Sequence, residues 1–180
     1  MKKERDRSFF AMLTASAAAV AVTQAAREAV YLPYQLSHPV PSFACEQTLD
    51  LSEKSPERYG VEKAAEMLDK KGKTVGYAVD GYAYGFNAKT PIRIRCRISP
   101  DGRELYGIEL LSQSESEYYG DRIRISSFQQ QFTGRLYPLL LSSDSGRGTH
   151  IDGLTGATVT TRAALRLVDG AARFVRFQLQ

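Results

Sequence analysis

Seven consecutive residues, Asp152-Gly153-Leu154-Thr155-Gly156-Ala157-Thr158, run straight into an amphipathic helical pattern over residues 159–177. This junction constrains the chain more than any other part of it. Gly153 and Gly156 permit a tight turn and a close approach to the main chain, because neither carries a Cβ. Asp152, Thr155 and Thr158 are residue types whose side-chain oxygens cap helices or close local turns. The helix that follows turns its free N–H groups and the positive end of its dipole back at the loop. Such a junction suits a phosphate. A well-capped helix with no ligand is the plainer reading of a Thr/Gly-rich helix start. An Asp-x-x-[Ser/Thr]-Gly-Ala-Thr string, however, arises by chance in roughly one chain in a thousand of this length.

Within the helix, Ala163, Ala164, Leu167, Val168, Ala171 and Val175 recur at steps of three and four and form one buried stripe. Arg162, Arg166, Asp169, Arg173 and Arg176 fall on another stripe, which reads as a solvated surface before it reads as a docking site. Upstream, Ile92, Ile94, Cys96 and Ile98 alternate with Arg93, Arg95 and Arg97. The period of two predicts a strand with one buried and one cationic face, again a solvated sheet surface first. Pro100-Asp101-Gly102 turns the chain into a second strand over residues 104–111. Residues 74–79 and 82–86 flank Asp80-Gly81, a hairpin signal. Val61, Ala64, Ala65 and Leu68 fit a helix over residues 56–71, with Ser55 as N-cap, Pro56 in its first position and Gly72 past its end. Residues 121–134 predict a short helix, and residues 136–150, with Pro138, Gly146 and Gly148, a loop.

The 152–158 string resembles the motif of the FMN-binding domain family, found in the G subunit of Rnf electron-transport complexes and the C subunit of the sodium-translocating NADH:quinone reductase. The resemblance spans about residues 57–177. Gln113-Ser114-Glu115-Ser116-Glu117-Tyr118-Tyr119-Gly120-Asp121-Arg122-Ile123 is similar to the family stretch His-Ser-Glu-Thr-Pro-Gly-Leu-Gly-Asp-Lys-Ile, which lies beside the flavin. Glu117, Tyr118 and Tyr119 depart from Pro-Gly-Leu, so the flavin's surroundings differ from those of relatives. Gly76-Tyr77-Ala78-Val79-Asp80-Gly81-Tyr82-Ala83-Tyr84-Gly85-Phe86 looks like the paired Gly-Tyr strand that opens the family's sheet.

The resemblance implies FMN joined by a phosphoester to Thr158, through the action of a separate flavin transferase. It implies a cofactor site made of Asp152, Gly153, Leu154, Thr155, Gly156, Ala157 and Thr158, with Glu115, Ser116, Tyr118 and Tyr119 beside the ring. No residue is expected to be catalytic in its own right, and no metal site is expected. The implied role is an electron-relaying redox subunit of an Rnf-type ion-translocating complex, with other membrane subunits as partners, rather than a self-contained enzyme.

Composition removes several rivals. Net charge is +4, but Asp and Glu number 20, so the surface is mixed and shows no concentrated patch for nucleic acid. With two Cys and two His, the chain cannot supply a four-Cys iron–sulfur site or a Cys-x-x-Cys-His haem site, and a zinc site would need all four scattered residues. Cys45 and Cys96 read as small buried hydrophobes, or as one disulfide in an oxidising compartment. A hydrolase using Thr155 or Thr158 would need His38 or His150 as base, and no triad can be argued from their positions. A cofactor-free exported binding domain and a stand-alone exported flavin carrier remain as alternatives.

At the N-terminus, Lys2, Lys3, Arg5 and Arg7 precede an uncharged run over residues 8–26. At about 1.5 Å per residue it is just long enough for a ~30 Å hydrocarbon core. A cleaved signal peptide, a single anchor helix and a buried helix all fit. The anchor is preferred, because the helical pattern continues through Glu28, Ala29, Val30 and Tyr31 to Pro33. Anchor or signal peptide, either exports the domain to the outer side of the cytoplasmic membrane. The expected architecture is therefore α+β: an antiparallel sheet with packed helices, preceded by one N-terminal transmembrane helix. The expected divisions are a basic end and anchor (1–31), a linker or extended wrap over the domain (32–56) and an FMN-binding domain (57–180).

Overall fold

A computed structural model describes residues 40–180. The expected anchor, together with the first part of the linker, lies outside the described residues. Among the described residues no helix is long and apolar enough to cross a membrane. The domain is α+β, as expected. Six strands form an antiparallel sheet in sequence order: β1 (Cys45–Thr48), β2 (Val61–Leu68), β3 (Thr74–Ala83), β4 (Ile92–Ile98), β5 (Glu104–Ser112) and β6 (Arg135–Leu136). A 3-10 turn (Gly120–Arg124) and the short α1 (Ser126–Gln130) follow β5. Then β7 (Leu139–Leu141) and β8 (Thr149–Ile151) make a small parallel pair, and α2 (Thr158–Gln178) closes the chain.

The long helix covers one face of the sheet. Leu167 reaches Gly81 on β3, and the register of β3 with β4 pairs Val79 with Cys96, Gly81 with Ile94 and Tyr77 with Ile98. The side chains of Tyr77, Val79, Ile94, Cys96 and Ile98 share the core with the predicted stripe, Ala163, Ala164, Leu167, Val168, Ala171 and Val175. The helix lies very close to the backbone below. A Cβ placed on Gly170 would stand 2.2 Å from the Tyr59 carbonyl oxygen. Tyr59 in turn meets Phe174 edge-on at 5.7 Å.

The opposite face carries the arginines, and each is engaged across strands. Arg95 makes a two-pronged contact with Asp80 at 2.6 and 2.9 Å. Arg93 pairs with Glu62 at 3.0 Å and Arg97 with Glu109 at 2.9 Å. The helix arginines are also occupied: Arg162 forks onto Asp144, Arg166 donates to the Tyr84 carbonyl, Arg173 pairs with Asp169, and Arg176 lies over Tyr137 and Phe177. Both stripes are therefore engaged, solvated surfaces, in line with the plainer expectation.

Three local expectations are corrected. The helix over 56–71 is instead a 3-10 turn (Pro56–Tyr59) followed by β2. A bulge between Val61 and Lys63 puts Val61 and Ala64 on the same face at a spacing of three, which imitates a helical period. Asp80-Gly81 does not turn; it sits inside β3. Gly81 is there because a Cβ would stand 3.1 Å from both the Gly60 carbonyl oxygen and Leu167. The expected loop over 136–150 contains β7, most of β8 and the end of β6, and the stretch read as a linker or extended wrap lays β1 along the sheet edge. Residues 121–134 do form a helical segment, interrupted at Ile125. No disulfide joins the cysteines: Cys45 is exposed on the edge strand and Cys96 is buried on β4, where burial pushes its thiol up.

Gly170→Ala should destabilise the domain by about 3 kcal/mol in denaturant unfolding, since the added methyl meets a backbone carbonyl and not a movable side chain. Burial, reinforced by neighbouring carboxylates, pushes the phenols of Tyr106 and Tyr137 up from 10.0 to about 12. A raised native value means that this contribution to stability is complete below pH 10 and is lost as pH rises toward 12. A pH series of melting curves should show that loss, and Tyr106→Phe/Tyr137→Phe should flatten it.

Candidate functional site

The motif loop is fixed before it presents anything to solvent. Asp152 Oδ1 accepts from the Ser142 hydroxyl at 2.6 Å, and the Asp152 amide donates to the Gln131 side chain at 2.8 Å. Leu154 is buried, and its amide donates to Thr161 Oγ1 at 3.0 Å, while the same hydroxyl donates to the Ala157 carbonyl at 3.0 Å. Thr161 therefore closes the turn from inside the helix. Ala157 is the N-cap residue, with no side-chain bond there, and Thr158 already has its place in the first turn. Its side chain is exposed.

Gly156 has φ +77, and a Cβ on it would stand 2.7 Å from a ring carbon of Tyr119. The glycine is needed for its backbone angle and for the ring that lies on it. Tyr119 is brought there by an unusual stretch of chain. Tyr118 has φ 67, and of the described residues only Ser55 shares a positive φ without being glycine. Tyr119 itself sits at φ −121 and ψ −86, leading into the 3-10 turn.

Beneath this stretch lies Glu115, which is 7% exposed. Its carboxylate accepts from the Phe86 amide at 3.0 Å and the Asn87 amide at 3.1 Å, and the Thr160 hydroxyl donates to it from the first turn of α2. Gly85 and Gly120 leave room for it, since a Cβ on either would stand within 3.0 Å of Glu115 side-chain atoms. One buried carboxylate thereby ties together the 85–87 loop, the 113–120 segment and the helix start.

Above these ties is an open groove of about 520 Å³, lined by Phe86, Ser116, Tyr119, Gly120 and the run from Gly156 to Thr160. This volume falls in the range of ligand sites, roughly 300–1,000 Å³. Phe86 is 70% exposed, Tyr119 56% and Val159 51%, so the walls are apolar and aromatic. The Thr158 hydroxyl and the positive end of α2 stand at one side. A planar aromatic group with an anionic tail fits this distribution of surfaces.

Of the residues singled out by sequence, Ser116, Tyr119, Gly156, Ala157 and Thr158 meet at the groove. Asp152, Gly153, Leu154 and Thr155 do not line it; the bonds of Asp152 and Leu154 shape the loop behind. Glu115 supports it from below, and Tyr118, 81% exposed, stands outside its lining. Phe86, Val159 and Thr160 were not anticipated. The Thr158-Val159-Thr160-Thr161 run held a signal for the last two, since four consecutive β-branched residues are poor helix formers with a reason to be elsewhere than in packing alone.

Known proteins share this part of the chain. The sequence profile of the FMN-binding domain family matches residues 85–173, from just before Phe86 to near the end of α2. A curated relative, the G subunit of the ion-translocating oxidoreductase complex of Methanosarcina acetivorans, is 29% identical over 111 residues, 62% of this chain and 57% of that protein. Two solved structures share the fold at 20% identity. NqrC of Shewanella oneidensis has a TM-score of 0.53 over 64% of this chain and 57% of its own. The C subunit of the Na(+)-translocating NADH-quinone reductase of Parabacteroides distasonis has a TM-score of 0.50 over 67% and 62%. The chain thus spans less than two thirds of the length of each.

Glu115→Ala should destabilise the domain by about 3 kcal/mol, because three donors lose a buried charged acceptor. Limited proteolysis should then cut first in residues 84–90, whose two bonded amides are released.

Proposed function

We propose that this chain, whose residues 85–173 match the profile of the FMN-binding domain family, is an exported electron-transfer subunit of an Rnf-type ion-translocating redox complex. Its flavin is joined through the phosphate to Thr158. The observation that carries the reading is the exposed Thr158 hydroxyl on the wall of an aromatic-sided groove at the start of α2. The family match and the likeness to the G subunit of an ion-translocating oxidoreductase complex support it.

Each residue's part follows from its place. Thr158 would be the point of attachment, and a flavin transferase would be the partner that makes the bond. The N–H groups and dipole of the first turn of α2 favour the phosphate's remaining charge. Phe86, Tyr119 and Val159 offer apolar surface to a planar ring and exclude water from the faces they cover. Ser116 stands at the groove with a hydroxyl able to donate or accept. Glu115 holds the three walls in register. When bound, the flavin supplies reversible electron transfer, and the protein sets its orientation and surroundings. A covalent tether has a physical rationale in an exported domain, where a dissociated cofactor would be diluted beyond recapture by mass action.

The anchor over residues 1–31, with its basic end in the cytoplasm and the domain outside, completes this reading. It would hold the domain beside the other membrane subunits. Protease added to spheroplasts should reach the domain if the topology is right.

The direct test is the intact mass of the protein from a host with a flavin transferase, with mapping of the peptide that contains Thr158. The expected result is an added mass equal to FMN minus water on that peptide. Thr158→Ala should remove it and change stability by no more than about 0.5 kcal/mol, as an exposed hydroxyl contributes little to a core. Covalent flavin retained in that variant would refute the attachment site.

A further inference from the structure

The end of the domain opposite the groove carries positive charge with nothing to meet it. β2 turns into β3 through Asp69-Lys70-Lys71-Gly72-Lys73, and the turn is built on its carboxylate. Asp69 Oδ1 accepts from the Lys71 amide at 2.7 Å and the Lys73 amide at 2.9 Å. Gly72, at φ +77, completes the turn, its amide donating to the Asp69 carbonyl. Lys70, Lys71 and Lys73 are exposed, and among the described residues no ion pair or hydrogen bond engages their ammonium groups. The arginines of the sheet face and of α2, by contrast, are occupied. The chain enters the sheet beside this hairpin: the Ala44 amide donates to the Leu68 carbonyl, and Cys45 pairs with Leu68. Just before that point Val40 and Phe43 are exposed, although both are apolar.

Two long elements run between this end and the groove. β3 leaves the hairpin at Thr74 and ends at Ala83, just before the 85–87 loop, while α2 starts at the groove and ends where Tyr77, early in β3, donates to the Leu179 carbonyl at 3.4 Å. With 21 residues the helix is roughly 30 Å long. We propose that the lysine hairpin, with Val40 and Phe43 beside it, docks on the headgroups of anionic lipids at the outer surface of the cytoplasmic membrane. This rests on the anchor over residues 1–31 proposed above. Residues 32–39 reach no further than roughly 30 Å even when fully extended, so the entry end of the domain is the end that the anchor keeps within reach of the bilayer. Lysines lay flexible stems along such a surface and keep their charge in water. A few apolar side chains beside a basic cluster add to its attraction for anionic lipid. Docked in this way, the domain stands on its hairpin and holds Thr158 about one helix length from the lipid. The groove then faces away from the bilayer, toward partner subunits that project from it.

The test uses the full-length chain reconstituted into vesicles of phosphatidylcholine, alone or mixed with phosphatidylglycerol. A fluorophore on Cys45 reports the position of the hairpin, since Cys96, the other cysteine of the chain, is buried. Nitroxide-labelled lipid headgroups quench it at short range. Quenching is expected to be several-fold stronger in the anionic vesicles and to fall in high salt. In Lys70→Gln/Lys71→Gln/Lys73→Gln it is expected to drop to the level of the neutral vesicles. Lys89→Gln, beside Asn87 at the groove end, should be quenched like the wild type. Equal quenching in neutral and anionic vesicles, or full quenching in the triple variant, would overturn the lipid contact and leave the anchor reading standing. Loss of the chain from both kinds of vesicle in a high-salt wash would remove the anchor and the contact together.

Discussion

The groove depends on one buried carboxylate. Glu115 receives the Phe86 and Asn87 amides and the Thr160 hydroxyl, which belong to segments far apart in sequence. The 85–87 loop would not hold its place by apolar burial, since Phe86 is largely exposed. A charged acceptor inside a low-dielectric site binds such donors more firmly than a neutral one, and the glycines at 85 and 120 give it the space to do so. Recognition surface at the top and rigidity below are thus supplied by different residues. Ser116, one position along, lines the groove while Glu115 supports it.

The rest of the domain serves to bring the start of α2 to that point. The helix is laid on the sheet at close range through Gly170 over the Tyr59 carbonyl and Leu167 against Gly81. Contacts of this kind fix the depth and rotation of a helix, because close-packed backbone leaves little room to give way. With its axis fixed, the first turn presents Thr158 and Val159 outward and Thr160 and Thr161 inward. The outer face of the sheet is closed electrostatically by Arg93, Arg95 and Arg97 with acidic partners on neighbouring strands. Pairs this exposed contribute modestly to stability, but they leave the sheet without a free cationic face.

Much of the site was legible in the residues. The Asp152 to Thr158 string, the amphipathic stripe behind it and the alternation on β4 each follow from a local period or a local turn, and the structure reproduces them. The string did not reveal how labour is divided within it. Asp152 and Leu154 look like ligand-facing residues by motif, yet their bonds run to Ser142, Gln131 and Thr161. The hydroxyl that closes the turn is on Thr161, one helical turn beyond where caps are sought.

Local sequence by itself determined that a helix with one apolar stripe runs over about residues 159–177, that the alternation from Ile92 to Ile98 is a strand with a charged face, and that a Gly/Thr-rich loop precedes the helix. Those features arise from neighbours in the chain, whose spacing fixes them. Only the tertiary structure decided that residues 61–68 are a bulged strand, that Asp80-Gly81 runs through a strand without turning, and that Phe86 and Tyr119 line one groove with Thr158. A bulge shifts a strand's period to imitate a helix. A glycine required by an approaching helix looks the same in sequence as one required by a turn. Partners dozens of residues apart, such as Glu115 and Thr160, leave no periodic trace, because the distance between them is set by the fold and not by the chain.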